Sequence, residues 1–178
     1  MKYYNLLALI FIIVFSCDDK PKTTENFQIG DFTFSSENIT VNEPFNIVYN
    51  GDKEITGASY TIIVHDEPYA YNLNFIDNKA TLTLADSISA VALNFKIEDF
   101  PANNEGKGYL FNVNNEDGKI KPESEAAKLA YAMRYGGMTD IEADAKEAYI
   151  AVKDLLDNNP ELKDQWLQTA LFMARDAN

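Results

Sequence analysis

Apolar residues recur with period two from Phe27 to about Val113, and with a helical period from about residue 122 onward. This switch constrains the fold more than any other feature. Side chains alternate across a strand but repeat every 3.6 residues around a helix, so one apolar register cannot serve both. In the first stretch Phe45, Ile47 and Tyr49 alternate with Asn46, Val48 and Asn50, and Leu82 and Leu84 alternate with Thr81 and Thr83. Tyr71, Leu73 and Phe75 alternate with Asn72 and Asn74, while Val91, Leu93, Phe95 and Ile97 alternate with Ala92, Asn94 and Lys96. Phe27–Phe34, Ala58–Val64 and Tyr109–Val113 are further candidates, which makes about seven short strands.

Turn signals separate these strands. Asn50-Gly51 and Asp77-Asn78 suit tight hairpins, because Asn, Asp and Gly tolerate a positive φ. Short, regularly spaced strands with no helix between them imply an antiparallel β-sandwich over residues 27–121, of the immunoglobulin-like class. The many inward aromatics let such a domain hold together without a disulfide.

Residues 122–178 read as helices, so the fold class is mainly β plus α. Ala126, Leu129, Ala130 and Met133 share one face, and Gly136-Gly137 ends that helix. Thr139-Asp140-Ile141-Glu142 has the form of a capping box opening a second helix. Its stripe is Ile141, Ala145, Ala148, Tyr149, Val152, Leu155 and Leu156. Asn159-Pro160 starts a third, with Leu162, Trp166, Ala170 and Met173 on one face and Leu167 and Leu171 beside it. The spacing resembles one and a half tetratricopeptide-type repeats. Such arrays need about three units to stand alone, so this three-helix segment must pack on the sandwich, on a partner, or on something beyond residue 178.

The N-terminus carries an address. Lys2 precedes an apolar run from Leu6 to Phe15, which is shorter than the roughly 20 residues a spanning helix needs. Val14-Phe15-Ser16-Cys17 then resembles a bacterial lipobox. That resemblance implies a signal peptide over 1–16, acylation of Cys17, and a lipidated tether over 17–26. Each buried acyl CH₂ contributes ~0.8 kcal/mol to anchoring. The expected location is the cell envelope, anchored to the outer membrane and facing either the periplasm or the surface. The alternative is an ordinary signal peptide with an incidental cysteine.

Charge narrows the partners. Lys and Arg number 15 against 28 Asp and Glu, a net −13 at pH 7. Nucleic acid is not an expected partner, because neutralising phosphates takes clustered cations. Cys17 is the only cysteine, so an acylated chain has no thiol left for redox chemistry.

Candidate chemistry is sparse, and no cofactor is expected. His65, the only histidine, ends an apolar strand and precedes Asp66-Glu67. It is either a base or metal ligand oriented by a carboxylate, or a strand-end residue beside a turn closed by Pro68. A zinc site lacks its usual ligand set, and no Gly-x-Ser-x-Gly elbow is present. Asn112, Asn114, Glu116 and Asp117 make an oxygen-rich loop. The calcium-loop pattern fails at its sixth position, which is Asp117, and Glu123 at the twelfth lacks the acidic ligands before it. A hairpin turn at Asp117-Gly118 accounts for it better. Tyr60, Tyr69 and Tyr71, with Phe75, form either a sugar-stacking platform or ordinary sandwich core and rim. Tyr69 and Tyr71 are the candidate ligand-binding residues. Asp86-Ser87-Ile88 has the form of a three-residue O-glycan acceptor of secreted Bacteroidetes proteins, or of a plain turn.

Taken in order, these parts resemble the N-terminal region of Bacteroidetes lipoproteins of the TlpA-like thiol–disulfide oxidoreductase family. They are a lipobox, a small all-β domain, Asp117-Gly118-Lys119, an Ala/Leu/Tyr-rich helix ending in Gly-Gly, an acidic helix, and Asn159-Pro160-Glu161-Leu162. The resemblance implies an accessory, partner-binding region ahead of a thioredoxin domain. The family's Trp-Cys-x-x-Cys centre has no counterpart, since Trp166 is followed by Leu167. The expectation is therefore a non-catalytic stretch whose partner is a protein or a catalytic domain outside this sequence. The alternative is a standalone envelope lipoprotein that binds a glycan or protein through the sandwich.

Overall fold

A computed structural model describes residues 26–177. The expected signal peptide, Cys17 and all but the last residue of the tether lie outside them. Ten strands come first: β1 (Phe27–Ile29), β2 (Phe32–Phe34), β3 (Ile39–Thr40), β4 (Pro44–Tyr49), β5 (Ile55–Val64), β6 (Glu67–Asn72), β7 (Lys79–Thr83), β8 (Ala90–Ile97), β9 (Phe100–Ala102) and β10 (Tyr109–Asn114). Three α-helices follow: α1 (Ser124–Tyr135), α2 (Ala145–Asn158) and α3 (Lys163–Asp176).

The strands form two sheets. A 4-stranded sheet has the order β1-β2-β4-β7, and a 6-stranded sheet the order β3-β10-β8-β5-β6, with β9 also on β8. All pairs are antiparallel except β3 with β10. Aromatics from both sheets interlock between them. Phe32 stacks on Phe95 with centroids 4.0 Å apart, and Phe34 meets Phe111 at 4.8 Å. Period-two alternation puts Phe45, Ile47 and Tyr49 into this core while Asn46 faces water.

The helices cover the outer face of the larger sheet. This makes three layers: small sheet, large sheet, helices. β8 shows why. Val91, Leu93 and Phe95 face the small sheet, while Ala90 and Ala92 face α1, whose Ala126, Ala127 and Ala130 are also buried. Small side chains on both sides let helix and sheet approach closely. The Ser124 hydroxyl fixes the junction by accepting from the Val113 amide at 2.8 Å. Beyond α1 the layer closes on Val152, Leu155, Met173 and the fully buried Trp166. The helical segment thus packs on the large sheet.

Several local expectations change. Asn50-Gly51 is no hairpin, because β4 and β5 lie in different sheets and the chain crosses between them there. The strand expected over Tyr71–Phe75 ends at Asn72, and Leu73 and Phe75 turn into the core on the way to the small sheet. β3 and β9 are too short to show a period. Asp77-Asn78 does form a tight turn, with φ of 50° and 60° and mutual hydrogen bonds between Ile76 and Lys79.

The capping box at Thr139 does not open α2. The Ile141 amide donates to Gly136 O, five residues back, and the Glu142 amide to the distant Gly106 O, so these acceptors take the donors that a cap at Thr139 would satisfy. Asp144 caps instead, its Oδ1 accepting from the Lys146 and Glu147 amides at 2.8 and 3.1 Å. The Thr139 hydroxyl closes a 3-10 turn over Gly136–Met138 by donating to Gly136 O. Pro160 likewise opens a 3-10 turn, Pro160–Leu162, ahead of α3; Asn159 precedes it, but its side chain donates back to Leu155 O.

Candidate functional site

The aromatic platform is built on the β5–β6 hairpin. Register places Tyr71 opposite Tyr60 and Tyr69 opposite Ile62. Tyr60 and Ile62 pack at the margin of the sandwich core. Tyr69 and Tyr71 share their face but stay 45% and 47% exposed, because they stand on the outermost strand of the sheet. Tyr71 stacks on Tyr60 with centroids 5.4 Å apart and planes 24° apart. The Tyr69 hydroxyl donates to Glu67 Oε2 at 2.7 Å, and this bond, with the Glu67 charge, holds its pKa above the usual phenol value. Two exposed rings are thus fixed by neighbours, each offering an apolar face and a polar edge. Phe75 does not belong with them. It packs edge-on against Phe95 at 6.0 Å, inside the sandwich margin.

His65 and Asp66 form the two-residue turn of the same hairpin. His65 is exposed with φ of 58°, and its amide donates to Ser89 Oγ at 3.2 Å. The Asp66 carboxylate faces the helices instead. Its Oδ2 accepts from the Thr169 hydroxyl and lies 3.5 Å from Arg134 Nη1. Thr169 is fully buried on α3, and Arg134 also lies over the rings of Tyr135 and Phe172. Asp66 therefore clips the hairpin to α1 and α3 through Oδ2.

The oxygen-rich loop does not converge on a point. Asn112 Oδ1 accepts from Ser124, Glu116 Oε1 accepts from Asn42 at 2.7 Å, and Asp117 accepts from the Lys119 amide. Lys119 Nζ lies 2.9 Å from Asp117 and holds that carboxyl below the usual range. Gly118, at φ of 80°, completes a hairpin turn. Among the described residues, no group of three or more His, Cys, Asp or Glu side chains gathers as metal ligands would. Near Ser87, the buried Lys121 ammonium donates to Asp86 O and pairs with Asp86 Oδ1 at 3.3 Å, while Ile88 is buried. Ser87 stands exposed in the turn between them.

Sequence reasoning assigned no role to three exposed apolar side chains of the helical layer. Ile150, Leu167 and Leu171 are exposed apolar residues on α2 and α3. The signal was available: Ile150 lies off the core stripe of its helix, and Leu167 and Leu171, one turn apart, lie beside that of theirs.

The described residues define a mixed β and α protein of two sheets and three helices. No family model, curated protein or solved structure matches the chain. Among the described residues, no helix is long and apolar enough to cross a membrane.

Proposed function

We propose that this chain is a lipid-anchored envelope protein whose folded part binds a partner rather than catalysing a reaction. In this reading it is the accessory region of a TlpA-type redox lipoprotein, held at the outer membrane through acylated Cys17. One observation carries the binding role. The helical layer spends one face on the sheet and presents apolar side chains on the other, with Leu167 57% and Leu171 64% exposed on one side of α3. Strand order supports an immunoglobulin-like class, since β2 pairs with β4 in the small sheet while the next strand, β3, runs parallel to β10 in the large one. The contacts of α1 with α2 and of α2 with α3 suit a tetratricopeptide-type succession. The test of the redox kinship is to read the gene past codon 178 and through its neighbours. A Trp-Cys-x-x-Cys protein encoded there supports it, and a stop codon with no such neighbour sinks it.

A second reading rests on the fixed rings of Tyr69 and Tyr71: a standalone envelope protein that binds a glycan or protein on the sheet. It expects saturable binding that Tyr69→Ala or Tyr71→Ala weakens. Binding unchanged in both variants removes it.

A further inference from the structure

A cavity of about 530 Å³ lies along the seam between α1 and α2, and a second of about 400 Å³ adjoins it at Glu125, Leu129 and Glu147 but opens toward β1 and β10, where Lys107 and Lys128 also line it. The start of α1 lies against the end of α2 in the larger one, so the two helices form its walls in antiparallel order. Its floor is apolar. Ala126 and Leu155 are buried, Leu129 and Ala151 half-buried, and Ile150 stands 48% exposed at the edge. Its rim is anionic: Glu125, Glu147 and Asp154 line it, and no Lys or Arg does. Glu125 pairs with Lys128 at 2.7 Å. Among the described residues no cation pairs with the carboxylate of Glu147 or Asp154.

Floor and rim together select the occupant. A neutral apolar segment would desolvate carboxylates without giving them partners, which is costly. A bare polyamine would leave the floor wet, and an anionic lipid surface would be repelled. A segment with an apolar stripe flanked by Lys or Arg satisfies both parts, because long cationic side chains lie along apolar surface while their charges reach outward. We propose that the α1–α2 groove docks a basic amphipathic segment of a partner protein. On α2 the lining runs from Glu147 to Asn158, about 17 Å of helix, which accommodates roughly three turns of helix. The proposal rests on the partner-binding part of the function above and on neither its lipidation nor its redox kinship.

The experiment selects peptides from a random displayed library of 14-residue sequences against the full chain in detergent, then measures affinity by fluorescence anisotropy in moderate salt. The enriched peptides are expected to carry Leu, Ile or Phe at spacings of three and four with Lys or Arg between. Glu147→Lys with Asp154→Lys should weaken the best of them at least tenfold, and Ile150→Asp should weaken it as well. Glu43→Lys with Asp52→Lys, the same change of charge on exposed loops outside the groove, should weaken it less than twofold, with far-UV circular dichroism unchanged in every variant. Equal weakening by the off-groove pair reduces the effect to bulk charge and overturns the proposal. So does enrichment of no basic peptide, or binding that the groove variants leave intact. A groove that passes these tests in an envelope lacking any Trp-Cys-x-x-Cys partner refutes the redox kinship alone.

Discussion

Trp166→Ala probes the joint between helices and sandwich. The indole is fully buried in the cluster that includes Ile63, Ala90 and Ala92 of the large sheet. An indole buries 150–250 Å², which at about 25 cal/mol per Å² amounts to roughly 4–6 kcal/mol. Among the described residues its Nε1–H has no hydrogen-bond partner, a deficit of about 1–3 kcal/mol that truncation relieves. The net expectation for Trp166→Ala is a loss of about 3 kcal/mol, within the range of large-to-small core changes. Trp166→Phe gives up less area and the same orphaned donor, so it should stay within about 1 kcal/mol of the parent. Urea unfolding of the Cys17→Ser chain without residues 1–16, followed by circular dichroism at helix- and sheet-sensitive wavelengths, measures both. The two signals should fall together, because α1 and β8 share buried surface. A loss in Trp166→Phe well above about 1 kcal/mol would refute the argument from the unpaired N–H. A helical transition that separates from the sheet transition would refute the shared core.

Other consequences are as direct. Gly136→Ala should destabilise by about 1–3 kcal/mol, because its Cβ would stand 2.7 Å from Ile141 O, whereas Gly137→Ala meets nothing within 4 Å and should be near neutral in the same melts. Asp66→Ala leaves the buried Thr169 hydroxyl without its acceptor and should cost about 1–3 kcal/mol by urea unfolding; with Asp66 intact, Thr169→Ser should retain most of the stability and Thr169→Val should not. Burial, then the charges of Asp31 and Tyr49, push the Tyr109 phenol up to about 12 from its ordinary value of 10.0. The folded state therefore holds a proton the unfolded chain releases, so stability should fall as pH rises from about 10 through about 12, and Tyr109→Phe should flatten that fall in pH-dependent melts. Pro68 pairs with Ile63 next to a two-residue turn that puts its nitrogen on the free edge of β6. Pro68→Thr supplies a donor there and should raise concentration-dependent self-association in sedimentation velocity runs.

The alternation of Phe45, Ile47 and Tyr49 made β4 legible, because one face of that strand meets the core and the other meets water. β8 was only half legible. Its outer positions, Ala92, Asn94 and Lys96, look like a mildly polar solvent face, yet Ala92 lies fully buried under α1. Alanine is compatible with either environment, and only the helix that arrives later in the chain decides. The start of α2 was misread for a related reason. Thr139 and Asp144 both offer a cap, and the bond from Glu142 N to Gly106 O, between residues far apart in sequence, selects the second. On the β5–β6 hairpin, Tyr69 and Tyr71 were singled out by residue type alone and stand exposed, while Phe75 shares their composition but packs at the core margin. The α1–α2 groove was not found, since its rim of carboxylates is dispersed along two helices and reads as an ordinary solvated surface.

The helical layer is proposed to face a protein in the envelope. A photo-crosslinking amino acid at Ile150, and separately at Leu167, in the full-length lipidated protein in its native membrane tests it most directly. A discrete protein adduct is expected at Ile150, abolished by Glu147→Lys with Asp154→Lys and, if the redox kinship holds, identified by mass spectrometry as a Trp-Cys-x-x-Cys protein. Crosslinks only to lipid, or an adduct from Tyr69 on the sheet and none from the helices, would contradict it.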